Sequence, residues 1–442
     1  MAHIAPDLVD EIVGIVAQRI SPEVAETFER CFTNTLDSTV EIDDDGMAFM
    51  VTGDIPAMWL RDSYWQLTPY LRLVDRDSRL ADLVAAVSRR QLRYVQLDPY
   101  ANAFNAGPDG AGHQDDSTAM TPWVWERKYE VDSLCSALRL AHTLWHRTGR
   151  TDHLDEFPAA LAAVVRVWQV EQDHEARSPY TFERPDPFLP TDTLARDGRG
   201  PLVAPTGMTW SGFRPSDDAT TYGYNVPGNA FAVVALRDGA VLAREACGDP
   251  ALAEQAEALA IELEAGIWRH GVVPGPDGGD ILAYEVDGLG GALVMDDANL
   301  PSLLSLPMLG WIDPEDELYR RTRSAVLSSA NPYWFSGKAA SGVGSPHTPG
   351  AQIWPIALAV QALTSGDGAE RLRLLDVLCS TDGGTGLMHE SFHADDPASF
   401  TRPWFSWANA MFCELVLDVV GVGEPALAAA PRGGEPSTRA AS

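Results

Sequence analysis

The chain has 442 residues, 45% of them hydrophobic, and carries a formal net charge of −31 from 63 acidic and 32 basic residues. That length can bury a large core, and the acid excess, with Lys nearly absent and no basic stripe, excludes the clustered cations that phosphate binding needs. Nucleic acid is therefore not expected as a partner, and Cys31, Cys135, Cys247, Cys379 and Cys413, which form no CxxC pair, read as small buried hydrophobes in a reducing compartment.

The first residues, Met1-Ala-His-Ile-Ala-Pro-Asp-Leu-Val-Asp10, lack a basic n-region and an apolar h-region, so no signal peptide is expected. No apolar run reaches about 18 residues, so no membrane span is expected either, and the cytoplasm is the expected location. Apolar residues at three-to-four spacing predict helices over 7–20 and 24–36. A β-hairpin follows: Thr39-Val-Glu-Ile42 and Met47-Ala-Phe-Met-Val51 flank Asp43-Asp-Asp-Gly46, a turn with glycine where positive φ is wanted. The helical spacing resumes over 79–95, 131–148, 157–175, 230–246 and 252–268. A short sheet is expected at 281–286, after the turn cluster Pro274-Gly-Pro-Asp-Gly-Gly279, and further helices over 315–328, 351–364 and 404–420. No flexible linker interrupts 7–422, so residues 1–422 read as one domain, with 423–442 a Pro-, Ala-, Gly- and Ser-rich tail expected to be disordered.

Chemistry-bearing residues cluster at 52–63, 123–134, 206–229, 294–302, 345–355 and 387–407, with helical stretches between most of them. That rhythm suits helical hairpins in a ring with their loops gathered at one end, as in an α/α barrel; an irregular helical domain fits the periodicity as well. Thr52-Gly-Asp-Ile-Pro-Ala-Met-Trp-Leu-Arg-Asp-Ser63 has the residue types of a sugar site. Acids and a guanidinium can fork onto vicinal hydroxyls, and an indole can cover a pyranose face. The structural alternative pairs Arg61 with a neighbouring acid and buries Trp59 in the core. Ser211-Gly-Phe-Arg-Pro-Ser-Asp-Asp-Ala219 places Asp217 and Asp218 on a tight loop, where adjacent side chains point in different directions; a helix N-cap would use the same residues. His389-Glu-Ser-Phe-His393 matches the zinc motif H-E-x-x-H, which requires a continuous helix. Asp382-Gly-Gly-Thr-Gly386 before it and Asp395-Asp-Pro397 after it leave barely two turns between breakers, so a lone carboxylate in a loop is expected instead of a metal site.

Together these segments resemble glycoside hydrolase family 125, the metal-independent exo-α-1,6-mannosidases. The resemblance is carried by 52–63, by Lys128-Tyr-Glu-Val-Asp-Ser-Leu134 and by Thr209-Trp-Ser-Gly-Phe-Arg-Pro-Ser-Asp-Asp-Ala219. It continues through Met295-Asp-Asp-Ala-Asn-Leu-Pro-Ser-Leu-Leu-Ser-Leu-Pro307, His389-Glu-Ser-Phe392 and Phe400-Thr-Arg-Pro-Trp-Phe-Ser-Trp-Ala-Asn409. It implies a mainly α fold, an (α/α)6 barrel with the small β-hairpin near its N-terminus, a pocket at one end, no metal and no cofactor. The implied substrate is an α-mannoside oligosaccharide, hydrolysed with inversion of the anomeric configuration; neither nucleic acid nor membrane is implied as a partner, and the oligomeric state is left open.

Carried onto this sequence, the resemblance makes an aspartate of Arg214-Pro-Ser-Asp-Asp218 the general acid, taken as Asp217 with Asp218 as the fallback because the loop sequence does not separate them, and Glu390 the general base. It makes Asp54, Trp59, Arg61, Asp62, Arg214, Asn299, His347 and Arg402 the sugar ligands. Structural readings of three of these stand beside it: Asp62 as a helix cap, Asn299 in a turn, and Arg402 as a surface residue before Pro403. Val131 and Met308 stand where the family pattern has leucine and tyrosine, and Met308 bears on how a leaving-group sugar packs. Three other functions use overlapping residues: an α/α-barrel glycosidase of other sugar specificity, a zinc hydrolase, and a non-catalytic mannose-binding protein.

Overall fold

Helices with one apolar face must pack those faces together. In the computed structural model, which describes residues 3–425, they form one continuous hydrophobic core running from Ile4 to Val422. The chain is mainly helical. Val131–Thr148, Val226–Glu245 and Ser406–Val420 are buried around most of their circumference, and Leu60–Trp65 is buried at every residue. Ser78–Leu97, Phe157–Glu171, Pro250–Gly266 and Gly368–Ser380 each turn a polar face to solvent.

The two kinds of helix pack in layers. Leu60–Trp65 lies against Val131–Thr148 and Ser406–Val420, Val131–Thr148 against Val226–Glu245, and Pro355–Leu363 against Ser406–Val420. Outside them, Pro250–Gly266 covers Val226–Glu245, Ser78–Leu97 covers Val131–Thr148, and Gly368–Ser380 covers Pro355–Leu363.

Short antiparallel strands feed the buried helices. Met58–Trp59 pairs with Ala103–Phe104, which pairs with Val124–Glu126, and runs directly into Leu60–Trp65. Tyr224–Asn225 pairs with Glu285–Val286 before Val226–Glu245. Gln352–Ile353 pairs with Ser391–His393, which pairs with Asp396–Thr401, just before Pro355–Leu363. The strand-to-helix junctions are where the chemistry-bearing segments converge.

The hairpin near the N-terminus forms as expected: Val40–Ile42 pairs with Ala48–Met50, and Gly46 takes φ +73. A second hairpin joins Val272–Pro274 to Asp280–Leu282 across the glycine-rich turn. Several boundaries differ from expectation. The helix expected over 157–175 ends at Glu171, followed by the short His174–Arg177, and the one expected over 351–364 starts at Pro355 because Gln352–Ile353 is drawn into a sheet. Val226–Glu245 has the length and mean apolar composition of a membrane-crossing helix, but 83% of its apolar window is buried inside the fold, so it is a core helix here. The expected tail from 423 falls almost wholly outside the described residues.

Candidate active site

The Asp217-Asp218 pair lies on a tight β-turn loop. Phe213 and Ala219 bridge as antiparallel partners, the Asp217 N–H donates to Arg214 O at 2.9 Å, and the Arg214 N–H donates to Asp218 O at 2.8 Å. Pro215 suits the first corner of such a turn, and Asp217 takes the left-handed position at φ +67 that closes it, a place usually given to glycine. The left-handed residue throws its side chain one way and its neighbour the other. Asp218 points inward, fully buried, accepting from Thr191 Oγ1 at 2.7 Å and Ser216 Oγ at 3.2 Å, with His347 Nδ1 3.7 Å away. Asp217 faces a cavity of about 550 Å³, within the range of small-molecule sites.

Glu390 lines the same cavity from just ahead of the strand Ser391–His393. Because that segment is strand and not helix, His389 and His393 are not one helical turn apart. His389 stacks on Phe400 with centroids 3.7 Å apart and contacts Asp382 O through Nε2 at 3.0 Å, while His393 Nδ1 accepts from the Asp395 N–H. Glu390 has Arg402 Nη1 at 3.6 Å from Oε1. Arg402 is held at φ +41, so both proposed catalytic carboxyls adjoin backbone in a sparsely populated conformation, which is common where a site dictates geometry.

The cavity floor is a dense ion network. Arg61 reaches Glu130 Oε2 at 2.6 Å, Asp217 Oδ1 at 3.2 Å, Asp62 Oδ2 at 3.3 Å and Asp132 Oδ2 at 3.5 Å, and it lies 5.5 Å from the Trp407 ring centre. Lys128 Nζ donates to the Asp217 carbonyl at 2.7 Å and to Asp192 at 3.1 Å. Asn102 Nδ2 lies 2.9 Å from Glu126, 3.2 Å from Glu130 and 3.2 Å from Asp217. Trp59 and Trp125 pack in a small apolar cluster beside this floor. Trp59 Nε1, from a cavity-lining residue, is buried and makes no hydrogen bond within the described residues, as expected of a group that meets a polar ligand.

Burial and charge set the titration. Burial opposes the Asp217 charge, but Arg61, a hydrogen bond with Glu130, and Lys128 outweigh it and hold the carboxyl well below the usual range. Burial pushes Asp62 up to about 6 and Asp132 up to about 7, against the pull of Arg61. Burial disfavours the His347 imidazolium, yet the carboxylates of Asp218, Glu390 and Asp217 overcome it and raise its pKa to about 9. Asp218 is held below the ordinary range, its burial outweighed by His347 and Thr191, so it is an anion that fixes a cation.

A profile of the metal-independent alpha-mannosidases (GH125) matches residues 21–417. The chain belongs to this family. A crystallised metal-independent α-mannosidase of Streptococcus pneumoniae, described in a non-productive substrate complex with α-1,6-mannobiose, is 50% identical, with a TM-score of 0.92 over 95% of this chain and 99% of that one. The Meiotically up-regulated gene 157 protein of Schizosaccharomyces pombe is 42% identical over 93% of this chain and 85% of its own length. A bacterial glucoamylase complexed with acarbose shares the fold at a TM-score of 0.56 and 12% identity, covering 83% of this chain and 49% of the other. The protein is thus a metal-independent α-mannosidase, a glycosidase.

In this GH125 enzyme the cavity gathers Asp217, Glu390, Trp59, Arg61, Asp62, Asn299, His347 and Arg402 from the residues the sequence singled out. Three others do not line it. Asp218 faces away. Arg214 is buried behind the loop, where its Nε pairs with Glu285 and its Nη2 donates to Thr221 Oγ1, anchoring the turn from beneath. Asp54 is exposed and accepts from Arg402 Nε at 2.9 Å, steadying that arginine at the rim. The sequence reading gave no site role to Glu126 and Lys128, which line the cavity, or to Asn102, Glu130 and Asp132, which lie just behind its lining. A signal was present: Lys128 is a rare lysine in a Lys-poor chain, inside Glu126-Arg-Lys-Tyr-Glu-Val-Asp132, a charged run leading straight into an apolar helix.

Proposed function

We propose that this enzyme removes one terminal α-1,6-linked mannose at a time from an oligosaccharide, by a single inverting displacement, in an (α/α)6 barrel formed by residues 1–422. The mannose ring occupies the buried end of the cavity, where Arg61, Asp62, Asn299 and His347 meet its hydroxyls and Trp59 flanks it. Asp217, protonated, gives its proton to the glycosidic oxygen as the C1–O bond breaks, and the leaving sugar departs as a neutral alcohol. Glu390 takes a proton from a water that attacks C1 from the opposite face, so an α-linkage yields β-mannose. Arg402, 3.6 Å from Glu390 Oε1, helps aim the base. No cofactor takes part in this reading, and the cytoplasm is its proposed setting.

The observation that carries the reading is that Asp217 and Glu390, supplied by segments far apart in the chain, line one cavity while Asp218 is buried and fully occupied. The α-1,6-mannobiose bound by the 50% identical Streptococcus protein supports the linkage. A panel of α-1,2-, α-1,3- and α-1,6-mannobiose and isomaltose tests it. Turnover of the α-1,6-mannoside is expected, with Asp217→Asn and Glu390→Gln each lowering kcat by about 10²- to 10⁴-fold. Asp218→Asn retaining less activity than Asp217→Asn would reassign the acid, and preferential cleavage of isomaltose would reassign the sugar.

A further inference from the structure

An acid catalyst must be protonated when substrate arrives, yet the donors around Asp217 favour its anion. Arg61 donates to Oδ1 at 3.2 Å, Asn102 donates to the same oxygen at 3.2 Å, and Lys128 holds its backbone carbonyl. The floor beneath supplies what the acid lacks. Glu130 has no solvent-exposed side-chain surface, and its two oxygens differ. Oε2 accepts from Arg61 Nη1 at 2.6 Å and Ser133 Oγ at 3.0 Å, which is full occupancy by donors. Oε1 has Asn102 Nδ2 alone, at 3.2 Å.

That amide nitrogen is over-subscribed. It carries two hydrogens but stands within 3.2 Å of three carboxyl oxygens: Glu126 Oε2, Glu130 Oε1 and Asp217 Oδ1. Its orientation is fixed, because Asn102 Oδ1 accepts from the Lys128 N–H at 3.1 Å. One oxygen of the three is left without an amide hydrogen, and a proton on one carboxyl, donated to another, resolves the shortage. Charge points the same way. Asp62, Glu126, Glu130, Asp132, Asp192 and Asp217 face Arg61 and Lys128 here, with Arg184 reaching Glu126 from its far side, Arg402 acting on Asp62 from the rim and His347 acting on Asp217. Carboxyls outnumber cations, so part of the cluster stays protonated at neutral pH.

We infer that Glu130 is the proton partner of Asp217: in the empty site it holds on Oε1 a proton directed at Asp217 Oδ1, and it yields that proton to Asp217 for catalysis. The inference rests on Asp217 being the acid. Transfer turns Glu130 into a carboxylate, which Arg61, Ser133 and Asn102 are already placed to hold, and Asp217 into a carboxylic acid. A turn of the Asp217 carboxyl about Cβ–Cγ presents the O–H to the glycosidic oxygen. After bond cleavage Asp217 is again an anion, Glu390 holds the proton from water, and exchange of that proton through solvent restores the shared one. Burial raises Glu130 well above the carboxyl range against the pull of Arg61, with Asp217 and Asp132 adding to the rise, while Arg61, a hydrogen bond with Glu130, and Lys128 push Asp217 down against its own burial. Glu130 touches no substrate, so it is a positioning residue acting through Asp217.

The test compares α-1,6-mannobiose, whose leaving group needs a proton, with α-mannosyl fluoride, whose leaving group does not. Glu130→Gln keeps the shape but donates permanently to Asp217, holding it ionised. It is expected to lower kcat on mannobiose by about 100-fold or more, with KM and fluoride hydrolysis within about threefold of wild type. The basic limb of its kcat/KM pH profile should move to lower pH. Glu130→Asp, which retains an acid, should recover at least about tenfold of the loss, and it carries the test by its pH profile if the glutamine variant does not fold. Equal loss on both substrates, or no loss on either, overturns the inference. Asp217→Asn run in parallel separates the two readings: if it shows no selective loss on mannobiose, the acid assignment itself fails.

Discussion

Asp217 has a backbone at φ +67, a conformation that costs an L-residue roughly 1 kcal/mol and that glycine adopts freely. Against that, its carboxylate accepts from Arg61 and Asn102, and glycine gives up both contacts. Asp217→Gly is therefore expected to leave the fold intact, with a stability within about 1 kcal/mol of wild type as the relieved backbone offsets the lost contacts, while hydrolysis is lost. A variant destabilised by more than about 2 kcal/mol would show that the Arg61–Asp217 contact outweighs the backbone relief. This residue also marks where sequence reading stops. Asp217 and Asp218 are indistinguishable as letters, and only the turn geometry sends one to the cavity and the other to Thr191 and His347. The same limit explains Arg214 and Asp54: each sits in a motif that builds the site, yet serves it by holding a neighbour. The charged residues of 126–132 received no individual role because a buried carboxylate beside a buried cation reads, in sequence, like any structural ion pair.

Two separate segments must meet for the cavity to close, and Gly53 is where they touch. It pairs with Phe405 in an isolated bridge, and a Cβ built on it would lie 2.5 Å from the Trp404 carbonyl oxygen. Its φ of +144 adds strain for any other residue. Gly53→Ala is expected to push 402–405 outward, displacing Arg402 from Glu390 and lowering kcat/KM by more than tenfold at a stability cost of about 1–3 kcal/mol. Wild-type kinetics in Gly53→Ala would show that the junction does not position Arg402. At this scale the long amphipathic helices were legible because their period was sustained; Val131–Thr148 has the boundaries expected. Leu60–Trp65 and Gly368–Ser380 were not. The first is buried on all sides and so shows no polar stripe, and the second mixes charged and apolar residues with weak contrast. The short strands were missed where pairing across the chain, not local alternation, defines them, as with Gln352–Ile353.

Across the whole molecule, buried carboxyls tie stability to pH. Burial raises Asp296 to about 8, against backbone N–H groups of Leu303 and Leu304 that favour its anion, and Asp132 to about 7. A carboxyl with a folded pKa above its unfolded one stabilises fully below the unfolded value and loses that contribution as pH rises through the folded value. His347, raised to about 9, loses its contribution in the same direction at its own pKa. His142, which burial lowers to about 3, acts only below its unfolded value near 6.5. Tm at fixed ionic strength should accordingly fall as pH rises from 7 to 9.5, and a flat or rising Tm over that window would contradict these protonation states. The central claim is the single displacement by Asp217 and Glu390, and proton NMR of α-1,6-mannobiose with the enzyme in excess EDTA tests it most directly. β-Mannose as the first anomer released, with α-mannose growing in only by mutarotation, is the predicted result. α-Mannose first would mean retention and a nucleophile where the account places a base.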